Sequence, residues 1–124
     1  MKAQTIGRAI GAASFAFGVA DMLLGRRFGR GIGAGETMGG RLFQIAGARE
    51  VATGLAGLRA PASAEPIRWR LAGDIFDLAM LAYIAAPANP RRRTAWLAAG
   101  IVAGVAAIDL LAARELGKTG TAPR

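Results

Sequence analysis

The sequence predicts an all-α integral membrane bundle of four transmembrane helices, at about residues 5–24, 42–58, 67–86 and 94–113. Three observations predict it. The 124 residues are 53% hydrophobic, and 18 of them are glycine, a density of small residues that suits close helix packing in lipid. The apolar residues gather into four runs, and all five prolines lie outside those runs, as uninterrupted helices require. The basic residues fall mostly between the runs, in RRFGR, RWR and RRR. A chain of this length is one domain, 1–124.

The formal charge of +8 raises the question of nucleic acid. One tyrosine and scattered phenylalanines form no stacking platform, so no nucleic-acid partner is expected. Basic loops beside the anionic headgroups of a bilayer account for the charge. The chain has no cysteine and no histidine. That removes disulfides, the usual ligands of zinc, haem and iron–sulfur centres, and the commonest general base. No catalytic set, cofactor site or metal site is therefore expected.

In chain order, Ala9–Leu24 reads AIGAASFAFGVADMLL, about 24 Å of helix, and adding Thr5 to Arg8 brings it to spanning length. Gly7, Gly11, Ser14, Gly18 and Asp21 fall on one face as a small-residue stripe ending in an acid. Asp21, and no convincing cleavage site after it, argue against a signal peptide. Residues 25–40, GRRFGRGIGAGETMGG, read as a flexible, basic, interfacial loop. Its alternating glycines suggest a phosphate loop, but no strand precedes it and no Lys-Ser/Thr follows.

The second run, LFQIAGAREVATGLAGL, carries Arg49 and Glu50 at its middle. Gly47, Glu50, Gly54 and Gly57 share one face there, so a neighbouring helix can approach the acid closely. The third run, IRWRLAGDIFDLAMLAYIAA, places Arg70, Asp74 and Asp77 on one stripe with Gly73 beside them. Trp69 and Trp96 fall near the starts of the third and fourth runs, at opposite interfaces. The fourth run holds Gly100-x-x-x-Gly104 and one acid, Asp109, and residues 115–124 read as a flexible tail.

A charge at bilayer depth costs roughly 2.5–3.5 kcal/mol on insertion scales, so each must be answered by a partner. Counting depth from each run's midpoint brings Arg49, Glu50 and Asp77 to one level, with Asp74 nearly one turn toward the side carrying the termini. The same count pairs Arg49 with Asp77 or Asp74 and Arg8 with Asp109, and lets Arg70 reach Asp74 along its own helix. Asp21 comes out near the opposite interface, beside Arg41. The expected buried network is thus Arg49, Glu50, Asp74, Asp77, Arg8 and Asp109. Around Arg49 and Arg70 it holds one acid in excess, so one carboxyl is expected to keep its proton near neutral pH.

Three segments carry a resemblance. GAREVATGL at 47–55, RLAGDIFDLAML at 70–81 and VAGVAAIDLL at 102–111 resemble an uncharacterised bacterial four-span membrane domain. In some proteins that domain precedes a soluble polyketide cyclase/dehydrase-like (START-type) domain. Arg49, Glu50, Gly54, Asp74 and Asp77 sit in the matching motifs, and Asp109 is a looser match. The resemblance implies the fold and a bacterial inner membrane. It implies no cyclase or dehydratase activity, because the soluble domain is not among these residues.

The leading expectation is a small membrane protein acting as a structural or accessory subunit, held together by its buried network. Gly7, Gly11, Gly100 and Gly104 are the expected contacts to a second copy or a larger membrane complex. The alternative is a small transporter or proton-coupled carrier that uses the same network. A membrane enzyme with Glu50 and Asp77 as acid and base has the least support. Eight basic residues on the terminal side against seven on the other leave orientation to an even span count, which puts both termini on one side, taken as cytoplasmic.

Overall fold

A computed structural model of the chain describes residues 2–120 and is all-helical, with four helices and no strand among them. They are α1 (Ala3–Gly31), α2 (Thr37–Arg59), α3 (Glu65–Ile84) and α4 (Arg92–Gly120). Pro66 stands in the first turn of α3, where its missing N–H costs nothing. Short links make successive helices antiparallel. The closest pairs are α1 with α2 and α3 with α4, and these two hairpins meet along sparser α2–α3 and α1–α4 contacts.

Every helix but α3 runs longer than its apolar stretch. Most of the loop expected at 25–40 is helix, because α1 continues to Gly31 and α2 starts at Thr37. The true link is residues 32–36, where Gly33 and Gly35 take positive φ angles of 81° and 85° that suit glycine. Of the tail expected at 115–124, residues 115–120 form the last turns of α4, and 121–124 lie outside the described residues. Only α1 and α4 are long and apolar enough to cross a membrane by length and composition. Both α2 and α3 are more than 18 residues long. What lowers their hydropathy is the charge at their centres, Arg49 and Glu50 in α2 and Arg70, Asp74 and Asp77 in α3.

Glycine decides how α1 meets α2. Gly11, Gly18 and Gly25 recur every seven residues along α1, and Gly40, Gly47 and Gly54 do so along α2. A seven-residue repeat keeps one seam facing a partner helix. The two series meet in antiparallel register as Gly11–Gly54, Gly18–Gly47 and Gly25–Gly40. A Cβ on Gly18 would stand 2.6 Å from the Gly47 carbonyl oxygen, and a Cβ on Gly47 would stand 2.6 Å from that of Gly18. The Hα atoms in those places point at the opposing carbonyls, the geometry of weak Cα–H···O contacts between closely packed helices. Gly7, one turn before this seam, lies against the backbone of Pro61. Gly7 and Gly11 are therefore spent inside the hairpin and do not offer a face to another protein. Gly100 and Gly104 differ, with nothing within 4 Å of where a Cβ would sit.

Two apolar clusters close the ends of the bundle. Ile32, Leu81, Ala85, Ala95 and Ala99 pack at the end carrying the α1–α2 and α3–α4 links. Ala64, Ile67, Ala112, Ala113 and Leu116 pack at the end carrying the α2–α3 link. At the first end Asn89 acts as a clip. Its side-chain amide donates to the carbonyls of Ile32 and Ile84 at 2.8 and 2.7 Å, tying the two hairpin links together. Its side-chain Oδ1 accepts from the backbone N–H of Arg91 at 2.9 Å.

The seam sets a clear contrast. Gly18→Ala and Gly47→Ala each force the two backbones apart and are expected to destabilise the fold by about 1–3 kcal/mol. Gly100→Ala meets nothing, and is expected to stabilise α4 by up to about 1 kcal/mol through helix propensity. Thermal unfolding in detergent, followed by tryptophan fluorescence, reads both.

Candidate functional site

Between the two apolar clusters lies a layer of charge. The longer helices move the midpoints from which depth is counted. From the observed midpoints, Ser14, Asp21, Arg49, Glu50, Arg70, Asp74, Asp77 and Asp109 all fall within about 7 Å of one level. The heptad seam turns Ser14 toward α2, and the remaining charges face the space between the hairpins.

Arg70 on α3 holds the centre and is buried. Its Nη1 donates to Glu50 Oε2 on α2 at 3.3 Å, and its Nε donates to Asp109 Oδ2 on α4 at 3.1 Å. Ser14 on α1 is fully buried, with its Oγ 2.7 Å from the Glu50 carbonyl oxygen and 3.0 Å from Glu50 Oε2. One hydroxyl proton serves these two acceptors. Ser14, Glu50, Arg70 and Asp109 thus link all four helices in one chain of contacts. Thr53 Oγ1 lies one turn further along α2 and donates back to the Arg49 carbonyl at 3.1 Å.

Arg49 makes a second, more open pair, donating from Nη2 to Asp77 Oδ2 at 2.7 Å. Gly73 makes this possible. A Cβ there would stand 2.6 Å from Arg49 Nε, so the guanidinium crosses α3 over a residue with no side chain. Asp21 is half-buried beside Gly47 and within electrostatic reach of Glu50, Asp77 and Arg49. Asp74 is 3% exposed, and no hydrogen-bond donor among the described residues reaches its Oδ2.

The structure therefore joins Arg49, Glu50, Asp74, Asp77 and Asp109 of the expected set and leaves Arg8 out. Arg8 is exposed, and Asp109 takes Arg70 as its cation in place of the expected Arg8. The reason is geometric. The start of α1 at Ala3 and its end at Gly31 place Arg8 about 13 Å below the helix midpoint, against about 5 Å for Asp109. Arg70 turns to Glu50 and Asp109 instead of bonding Asp74 along its own helix. Asp21 sits beside the network, within electrostatic reach of Glu50, Asp77 and Arg49. The role of Ser14 lay hidden in the small-residue stripe; its recognisable signal is a hydroxyl seven residues before and after nothing but glycine and acid on the same face.

No group of three or more acidic side chains suited to holding a metal ion occurs among the described residues. The contacts within the arrangement are ion pairs and hydrogen bonds. Arg70→Gln strips the cation from two buried carboxylates and is expected to cost about 3–5 kcal/mol of stability. Arg30→Gln breaks the exposed pair with Glu36 at 2.7 Å and is expected to cost no more than about 1 kcal/mol. Chemical unfolding of the two variants side by side measures the difference. No family model, no curated protein and no solved structure matches the chain.

Proposed function

We propose that the protein is a four-span integral membrane protein whose role is that of a structural or accessory subunit. One observation carries the membrane reading: polar and charged side chains occupy the middle of the bundle while large apolar side chains cover its outside. Buried positions include Ser14, Arg70, Asp74 and Asp109, while Phe17, Leu23, Ile45, Ile75, Phe76, Leu97, Ile101 and Leu111 are exposed. Large apolar side chains point outward from all four helices. A continuous apolar exterior of this kind calls for lipid or protein around it. The charges that lower the hydropathy of α2 and α3 point into the bundle, so they do not oppose insertion as lipid-facing charges would. At about 30 Å or more, each helix also has the length to span.

The subunit reading rests on α4. Its outward face carries Gly100 and Gly104 bare, and in lipid small residues are where another helix packs closely. Both the resemblance to a bacterial four-span domain and the basic residues at the two ends favour an inner membrane with anionic headgroups. A second reading, a proton-coupled carrier, is favoured by Asp74, a buried acid with no donor of its own. In that reading Asp77→Asn abolishes flux while the protein still folds.

Topology is directly testable because the chain has no cysteine. Single cysteines at Ala34, Ala62 and Ala88 are expected to react with a membrane-impermeant thiol reagent from one side for Ala34 and Ala88 and from the other for Ala62. Labelling of all three from one side overturns four spans. Ala103→Cys, on the bare face of α4, is expected to crosslink to a partner in native membranes. Recovery of monomer alone overturns the subunit role.

A further inference from the structure

The network holds more acid than it can neutralise, and the surplus has an address. Arg49 is engaged by Asp77, and Arg70 is engaged by Glu50 and Asp109. Asp74 receives neither cation. It is nevertheless 3% exposed, and Asp109 on the neighbouring α4 is 1% exposed. Its carboxyl lies within hydrogen-bonding reach of the Asp109 carboxyl. Two ionised carboxylates have only acceptors to offer each other, so contact between them requires a proton on one. An ionised Asp74 would also be a buried charge with no partner, which folded proteins avoid.

We propose that Asp74 and Asp109 form a proton-binding site, in which Asp74 carries the proton and donates it to the Asp109 carboxylate. The direction follows from Arg70. Its Nε–H already points at Asp109 Oδ2, which favours the ionised form on Asp109 and leaves the O–H to Asp74. The groups within electrostatic reach of Asp74 are Asp109, Arg70 and Glu50. Glu50 adds negative charge, while Arg70, the one cation among them, opposes the proton but is bonded to Glu50 and Asp109. Loss of this proton would set two carboxylates against each other across the α3–α4 contact. The site stands on packing alone and is independent of whether the bundle serves as a subunit or as a carrier.

Infrared spectroscopy of the whole protein in lipid at neutral pH tests it. A protonated-carboxyl stretch is expected, shifted by deuterium oxide and by isotopically labelled aspartate, which separates it from lipid esters and from glutamate. Asp74→Asn places an amide donor where the acid O–H stood, so this variant, made in an Asp21→Asn background that removes the other half-buried aspartate, is expected to fold, to unfold no more easily than its background, and to lose the band. Asp77→Asn, at the Arg49 pair, is expected to keep it. Absence of the band in the parent overturns the site. So does its survival in Asp74→Asn, or a destabilised Asp74→Asn alongside a stable Asp74→Ala.

Discussion

A guanidinium buried among helices must find acceptors or carry an unmet desolvation cost, and Arg70 meets this demand from two neighbours at once. Glu50 reaches it from α2 and Asp109 from α4. Ser14 then fastens α1 to Glu50. The two hairpins touch only sparsely elsewhere, so this chain of contacts carries much of what holds them together. It also fixes register. Sliding α3 by one turn past its neighbours, about 5.4 Å, would strand the charge of Arg70 and both of its partners together. Apolar packing alone tolerates such slips, because one alanine face is much like another.

The division of labour between glycine and charge follows from this. Within the α1–α2 hairpin the seven-residue glycine seam brings backbones close enough to exclude anything larger than hydrogen. The α3–α4 hairpin has no such seam, and instead packs on alanines and a few branched residues at its two ends. Polar groups are thereby confined to the middle layer, between two apolar plugs. A charge in that layer is far from either end of the bundle, where its partners are the only available solvation. Gly73 belongs to the same logic, since without its bare backbone Arg49 could not lie across α3 to Asp77.

The all-helical fold and most of the charged layer were legible in the residues. Four apolar runs with prolines only between them are a direct reading, and carboxylates and arginines inside such runs announce themselves. Helix ends were not legible, since RRFGR and Gly31 continue α1 despite their charge and glycine; a helix stabilised by packing need not stop where its hydropathy does. That error propagated. With α1 shortened, Arg8 came out level with Asp109 and Asp21 came out far from Glu50, whereas the structure pairs Asp109 with Arg70 and brings Asp21 within electrostatic reach of Glu50. The glycine seam was readable as a period of seven but was masked by the i, i+4 stripe that shares its face. Asn89 gave only a turn signal between two prolines, and its clip depends on the distant Ile32 carbonyl, which no local pattern encodes.

The count of charges bears on what the layer is for. Asp21, Glu50, Asp74, Asp77 and Asp109 surround Arg49 and Arg70, five acids against two cations. A layer that only joined helices would be served by matched pairs, or by uncharged amides such as that of Asn89, at lower desolvation cost. Arg49–Asp77 and Glu50–Arg70–Asp109 already supply the joints between α2, α3 and α4. Removing Asp74 in thought leaves every one of those joints in place, so what it adds is its contact with Asp109 between α3 and α4. A buried acid set against a second acid already committed to a guanidinium is the arrangement on which the proposed proton site rests. Arg49 and Arg70 thus hold the joints of this layer, and Asp74 is the acid with which neither forms an ion pair.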